Sequence, residues 1–372
     1  MNKDLKYYLP YGDQLRSILV RQDVTSGMLK SILKKRGQFL PKYEKQDIIP
    51  VLLRTLLSND EFEDILEQLK EKESTTKRRT NIIPWSGTQN LLDKTPIKID
   101  IQKLIEEKFR YKPEFSLLNQ TNFTQVDGRS DKVEMSFNIQ ETSHYQSVES
   151  RKTTYEGKVT LELKKDGQLY LSTTKNFTSK ATQRIVDGIA QKLKTEFKAS
   201  GVIKKEDDYE KILFEHFTNR NRSYFFMRFF DSIGPLEAKR ISNADLAPDK
   251  NFNLPVDIDK FLSELETLKL SGKSLHRNPL LSEEVYKDSI VISSISILYN
   301  FNHAEGQGTC EVEFSFPDFS SDSIKNVEFQ FYIKRLSFNR AYRPYGKKPK
   351  VNQAVYDSIQ EHMLYHYKQL KN

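Results

Sequence analysis

The sequence predicts an α+β protein: an all-helical N-terminal module followed by two α+β units with antiparallel sheets. Three observations predict it. Apolar residues from Leu15 to Leu69 recur at three and four, the helical period, whereas later segments alternate as strands do. The 372 residues also exceed the roughly 250–300 at which one hydrophobic core stops growing. The boundaries follow these shifts: 1–72 for the helical module, 73–95 for a linker, 96–250 and 251–372 for the two α+β units.

In the first module, four helices are outlined by Leu15, Ile18 and Leu19; by Met28, Leu29, Ile32 and Leu33; by Ile48, Ile49, Leu52, Leu53 and Leu56; and by Phe62, Ile65, Leu66 and Leu69. Thr25 and Ser26 are N-cap types, because a hydroxyl accepts from the orphan amides of a first turn. Gly37 stands where a glycine ends the second helix, and Ser58-Asn59-Asp60-Glu61 has the form of a cap for the fourth. After Leu69, the run KEKESTTKRRTN holds no apolar residue and reads as a linker. Lys77-Arg78-Arg79 within it is solvated charge, with phosphate contact as the other reading.

Strand alternation then marks Lys132 to Ile139 and Lys158 to Leu163, with Asp166-Gly167 turning the chain into Gln168 to Ser172. Ile185, Ile189, Leu193 and Phe197 share one helical face, and a further helix is expected from Asp207 to Phe217. Later strands are expected at Ser289 to Phe301, Thr309 to Phe316 and Asn326 to Leu336, before a closing helix that carries Val355, Ile359, Met363 and Tyr367. Val256 to Leu262 parallels Ile97 to Leu104, so the two units are read as related in layout, with unrelated α+β domains as the other reading.

Lys and Arg number 59 against 51 Asp and Glu, a net charge of +8 that favours polyanion partners through counterion release. Cys310 is the only cysteine, which excludes a disulfide framework and multi-cysteine zinc sites and fits a reducing compartment. It reads as a small buried hydrophobe. The opening residues lack the apolar core of a signal peptide, and no run reaches the roughly 18 apolar residues of a membrane span, so a cytoplasmic location is expected.

The most specific motif is Val24 to Gly37 followed by Lys45 to Leu57: helix, glycine-bounded loop, helix. Their apolar rows face each other, which leaves Lys30, Lys34, Lys35, Arg36, Lys42 and Lys45 near one edge. This layout resembles the SAP family of DNA-binding modules, with Leu29, Leu33, Gly37, Lys45 and Ile49 in matching places. The resemblance implies that the second helix start and the loop approach a duplex, amides and lysines meeting phosphate. Phe39-Leu40-Pro41-Lys42-Tyr43 departs from the small residues usual in that loop. Protein docking is the other reading of such a hairpin.

Tyr8-Leu9-Pro10-Tyr11-Gly12-Asp13, Leu15-Arg16, Lys35-Arg36-Gly37, Ile49-Pro50 and Arg54 to Ser58 ahead of Glu61-Phe62 also resemble the smaller subunit of a two-gene antiphage system carried on GMT mobile islands. That resemblance implies a partner chain with a PD-(D/E)xK-type nuclease domain.

Four further groups bear chemistry. Arg220 and Arg222 precede Phe225 to Phe230, whose alternation reads as a buried strand with the two arginines at its entrance as nucleic-acid contacts. Lys334 to Lys350 is the densest basic run, holding Lys334, Arg335, Arg340, Arg343, Lys347, Lys348 and Lys350 with no acid among them, and is read either as polyanion contact or as solvated loop. With the head it would form a clamp. Glu162-Leu163-Lys164 has the Glu-x-Lys form of metal-dependent nucleases, for which Glu134 or Glu156 would supply the second acid. His362 and His366 are spaced for a shared metal face, though Tyr365 and Tyr367 favour a partner-facing helix. No nucleotide or cofactor fingerprint is present, and none is expected.

The expectation is therefore a non-catalytic nucleic-acid-binding subunit, DNA before RNA, working in the cytoplasm beside a nuclease chain. A nuclease acting alone through Glu162 and Lys164, and a docking adaptor, are the alternatives.

Overall fold

The computed structural model describes residues 9–20, 24–74, 76–87, 91–96, 99–109, 114–142, 152–164, 167–176, 180–249, 251–252, 262, 265–317, 319, 326–342 and 347–372. Arg343 and most of Val256 to Leu262 lie outside them.

The head is four helices, α1 (Asp13–Leu19), α2 (Ser26–Lys35), α3 (Lys45–Leu53) and α4 (Asn59–Ser74). Thr25 caps α2, its hydroxyl accepting from the Met28 amide at 3.3 Å. Gly37 closes it at φ 68°, and Gln38 N donates to Leu33 O at 2.9 Å, the pairing of a Schellman end. Ser58 and Glu61 cap α4 reciprocally, with Glu61 N donating to Ser58 Oγ at 3.2 Å and Ser58 N to Glu61 Oε2 at 2.8 Å. Leu15, Leu19, Leu29, Leu33, Ile48 and Leu52 are fully buried at its centre. Leu56, counted with the third helix from sequence, falls beyond its end and is 75% exposed.

The body is one continuous antiparallel sheet. Its strands are β1 (Thr76–Pro84), β2 (Phe115–Gln120), β3 (Thr124–Val126), β4 (Arg129–Thr142), β5 (Lys152–Leu163), β6 (Gln168–Asn176), β7 (Leu236–Pro248), β8 (Leu268–Ser271), β9 (Ile290–His303), β10 (Gly306–Ser315) and β11 (Gln330–Phe338). They run in the order β2-β4-β5-β6-β1-β11-β10-β9-β7-β8, with β3 on β4. Its helices are α5 (Leu91–Lys94), α6 (Ile101–Lys108), α7 (Lys180–Ala199), α8 (Asn219–Arg228), α9 (Pro279–Ser282) and α10 (Lys348–Leu370). Each half has three long consecutive strands followed by a long helix: β4, β5, β6 and α7, then β9, β10, β11 and α10. The α+β class and the antiparallel pairing are as expected, but the two units share their sheet.

The stretch read as a linker holds the joining strand. β1 pairs with β6 from Thr76 to Pro84 and with β11 through Lys77 and Arg78. Its charges tolerate this position because acids meet them: Arg78, 4% exposed, lies 3.1 Å from Asp357 of α10, and Arg79 lies 3.2 Å from Glu328. Two other expectations fail. Asp207 to Phe217 is no helix, holding only a short 3-10 turn at Phe214–His216, and Phe225 to Phe230 forms the last turn of α8 and the turn that follows it rather than a strand. Phe225, Phe226 and Phe229 are buried at helical spacing, the first two meeting Phe329 edge-on and tilted and the third stacking on Phe329 and Phe314.

The two cores lie on opposite faces of the sheet. Ile83 joins the core under α6 and α7, while its neighbour Ile82 joins the one under α8 and α10, and successive side chains of a strand point to opposite faces. Tyr170 stands with Ile82; Leu169 and Leu171 stand with Ile83. The face of the first half away from α7 is consequently polar. α10 crosses onto it: Asp357 bonds Arg78 and, at 3.2 Å, Lys132 of β4, and Ser172 Oγ donates to Gln360 at 2.9 Å.

Candidate nucleic-acid interface

α2 and α3 pack through Leu29, Leu33, Ile48 and Leu52, which turns the cations of the intervening segment outward. Four of the six are committed within the chain. Lys30 lies 4.2 Å over the Tyr43 ring. Lys35 pairs with Asp64 of α4 at 2.8 Å. Arg36 clamps Glu61 and donates to the Leu56 carbonyl at 2.6 Å, tying the end of α2 to the start of α4. Lys45 opens α3 and also has a partner in the chain. Lys34 and Lys42 are exposed and make no ion pair among the described residues.

The amide end of α3 is less open than a SAP-like reading implies. Glu44 occupies the N-cap and its amide donates to Asp47 Oδ2 at 3.3 Å, so two carboxylates stand where a phosphate would approach. The loop before it is the more accessible feature, with Phe39 74% exposed.

Four cations of the run from Lys334 to Lys350 are paired with acids of β10 and of the turn before it. Lys334 pairs with Glu313 at 3.1 Å and Arg335 with Glu311 at 3.7 Å, because β10 lies beside β11. Glu305, in the β9–β10 turn, meets Lys347 at 3.6 Å and Lys350 at 3.0 Å at the start of α10. Arg340 and Lys348 are exposed without an ion pair among the described residues.

Arg220 and Arg222 are held by the fold. Arg220 pairs with Asp288 at 2.6 Å and Glu284 at 2.9 Å. Arg222 is 2% exposed, donates to the Phe214 and Phe217 carbonyls at 3.1 and 2.9 Å, and lies 3.3 Å from the Phe214 ring centre; burial pushes its pKa down. A side chain so enclosed reaches no phosphate.

Glu162 is buried on β5 between Arg129 and Lys164, each 3.0 Å away, and faces Lys132 across the strand pair. Glu134 is taken by Lys158 at 2.8 Å. Cations surround this carboxylate, and among the described residues no group of three His, Cys, Asp or Glu is placed to hold a metal. Arg129, Lys164, Tyr170, Glu361, Tyr365 and Lys368 line a cleft of about 520 Å³ beside it. The sequence singled out Lys164 and Tyr365 separately but not the cleft they share, since its walls come from strands of the first half and from α10.

His362 Nε2–H donates to the Arg228 carbonyl at 2.7 Å, and its ring meets that of His366 at 4.4 Å between centroids. Burial lowers the pKa of both. Tyr365 beside them is 60% exposed. Cys310 is buried in β10, and burial raises its thiol pKa, as suits a packing residue. Among the described residues no helix is long and apolar enough to cross a membrane.

Residues 13–75 match the family model described as the GAPS4b protein N-terminal domain, which spans α1 to α4 and stops at β1. The match falls on the segment whose motifs resemble the antiphage subunit. No curated protein matches the chain. Among solved structures, the crystal structure of the di-domain ARO/CYC StfQ from the steffimycin biosynthetic pathway is similar over 79% of this chain and 97% of that one, at 10% identity and a TM-score of 0.18, too low to bear on function.

Proposed function

We propose that the chain is a non-catalytic nucleic-acid-binding subunit of a bacterial antiphage defence complex, positioning DNA in preference to RNA for a nuclease partner. The observation that carries this is the pair Lys34 and Lys42, exposed and without an ion pair among the described residues, on a head that matches the GAPS4b N-terminal domain. Ammonium groups without in-chain acids gain most by meeting phosphate, since binding releases condensed counterions and breaks no existing pair. Catalysis is assigned to the partner because Glu162, the best carboxylate for a metal, is held by Arg129 and Lys164.

The test uses the full chain, labelled duplex and single-stranded DNA, and Mg²⁺. Retarded but intact DNA at low salt, with affinity falling steeply as salt rises, is the expected result. Cleavage by the chain alone would return the reaction to Glu162 and Lys164. Absence of binding at low salt would leave the docking adaptor. Co-expression with the product of the neighbouring gene tests the second half of the proposal, which requires the two chains to purify together.

A further inference from the structure

Phe39 is displayed by a loop that is fixed on both sides of it. Before it, Gly37 at φ 68° ends α2 and the Gln38 amide is bonded to Leu33 O at 2.9 Å. After it, the Leu40 amide donates to the Tyr43 hydroxyl at 3.3 Å, and Leu40 and Tyr43 both pack against the head core. Lys30 over the Tyr43 ring at 4.2 Å braces that tyrosine from the helix side. Between these anchors the phenyl ring has nothing to bury against and stays 74% exposed.

A single exposed apolar side chain is ordinary. This one differs in its company: Lys34 lies five residues before it and Lys42 three after, two exposed head lysines that make neither an ion pair nor a ring contact among the described residues. Amines that track a backbone around a ring presented at low entropic cost form the arrangement by which proteins hold unpaired nucleotides, the phosphates on the amines and a base on the ring. In an intact duplex every base face is already stacked, so the ring gains nothing there. The carboxylates of Glu44 and Asp47 at the start of α3 also disfavour the amide-to-phosphate docking that a duplex-reading helix end uses.

From this we infer that Phe39 is a base-stacking residue and that the head takes single-stranded nucleic acid in preference to intact duplex. The inference rests on the nucleic-acid reading above and narrows its substrate class. It is tested by fluorescence anisotropy on the full chain with three probes: a single-stranded oligonucleotide, the same strand with abasic spacers, and its duplex.

The unaltered chain binds the single strand most tightly. Phe39→Ala lowers that affinity roughly tenfold, leaves the abasic strand and duplex nearly unchanged, and Phe39→Trp restores binding. An exposed ring leaves the fold intact, which an unshifted melting curve verifies. Equal binding to all three probes with a silent Phe39→Ala overturns this inference and spares the broader one; no binding to any probe sinks the broader one. Silence on every probe together with lost association with the partner chain overturns it too, and makes Phe39 a protein contact.

Discussion

Lys34 and Lys42 in the head and the run from Lys334 to Lys350 near the other end of the chain have the same residue types, and along the sequence the run is the denser. In the fold their surroundings differ. Four of the run's cations lie on Glu305, Glu311 and Glu313, contributed by the strand alongside and the turn ahead of it, and its open lysine, Lys348, stands between two lysines that share Glu305. The head's two exposed lysines instead flank, along the sequence, an exposed aromatic residue, Phe39. Positive charge per unit of sequence is thus a poor guide to a binding surface; what matters is which acids the fold sets opposite, and what is displayed between the charges left over.

The largest effect expected from breaking this comparison is in the head. Lys34→Glu with Lys42→Glu lowers DNA affinity by one to two orders of magnitude and flattens the log–log salt dependence by about two units, roughly one per lost phosphate contact. Titration over a salt series measures both. Arg340→Glu with Lys348→Glu, the matching change at the far end, costs only a few-fold. Should the two losses be equal, both ends grip the nucleic acid and the clamp arrangement returns.

A smaller change of opposite sign comes from Glu305→Gln. It frees Lys347 and Lys350, which lie 3.6 and 3.0 Å from that carboxylate, and raises affinity about twofold to threefold at low salt. Unchanged affinity would mean that these lysines face away from any bound strand.

The smallest effect concerns the head's committed arginine. Arg36 hydrogen-bonds Glu61 and holds its carboxyl down to about 2, so this contribution to stability is whole above the ordinary glutamate pKa of about 4.3 and is lost as pH falls towards 2. Glu61→Gln destabilises the head by about 1–2 kcal/mol at neutral pH and abolishes that acid dependence. Thermal melts from pH 6 to pH 2.5 read both, and DNA affinity at pH 7 stays as it was.

Much of the head was legible because its signals are local. Period, the Thr25 and Ser58 caps and Gly37 all act within one turn, and each does in the structure what its residue type implies. α8 was misread because aromatic residues at 224, 225, 226, 229 and 230 satisfy both periods, although burial of 222, 225, 226 and 229, with Ser223 beside them, follows the spacing of three and four. β1 was misread because Arg78 and Arg79 looked solvated, and their acids, Asp357 and Glu328, lie some 250 residues or more away. The same blindness hid the site. No local pattern announces that Arg36 belongs to Glu61, or that Lys347 belongs to Glu305, whereas the departure of Phe39 from the small residues of similar loops was visible and remains the most informative residue of the segment.

The position of α10 bears on how this protein is made. Until the last helix is made, Arg78 and Lys132 lack the carboxylate they share and Ser172 the amide it bonds, because Asp357 and Gln360 are encoded there. β1 likewise waits for β11 to complete its second edge. The body therefore stays unfinished until α10 is made, and a chain stopped near residue 250 would carry a complete head on a half-sheet in which Arg78, Arg79 and Lys132 lack the carboxylates of Asp357 and Glu328.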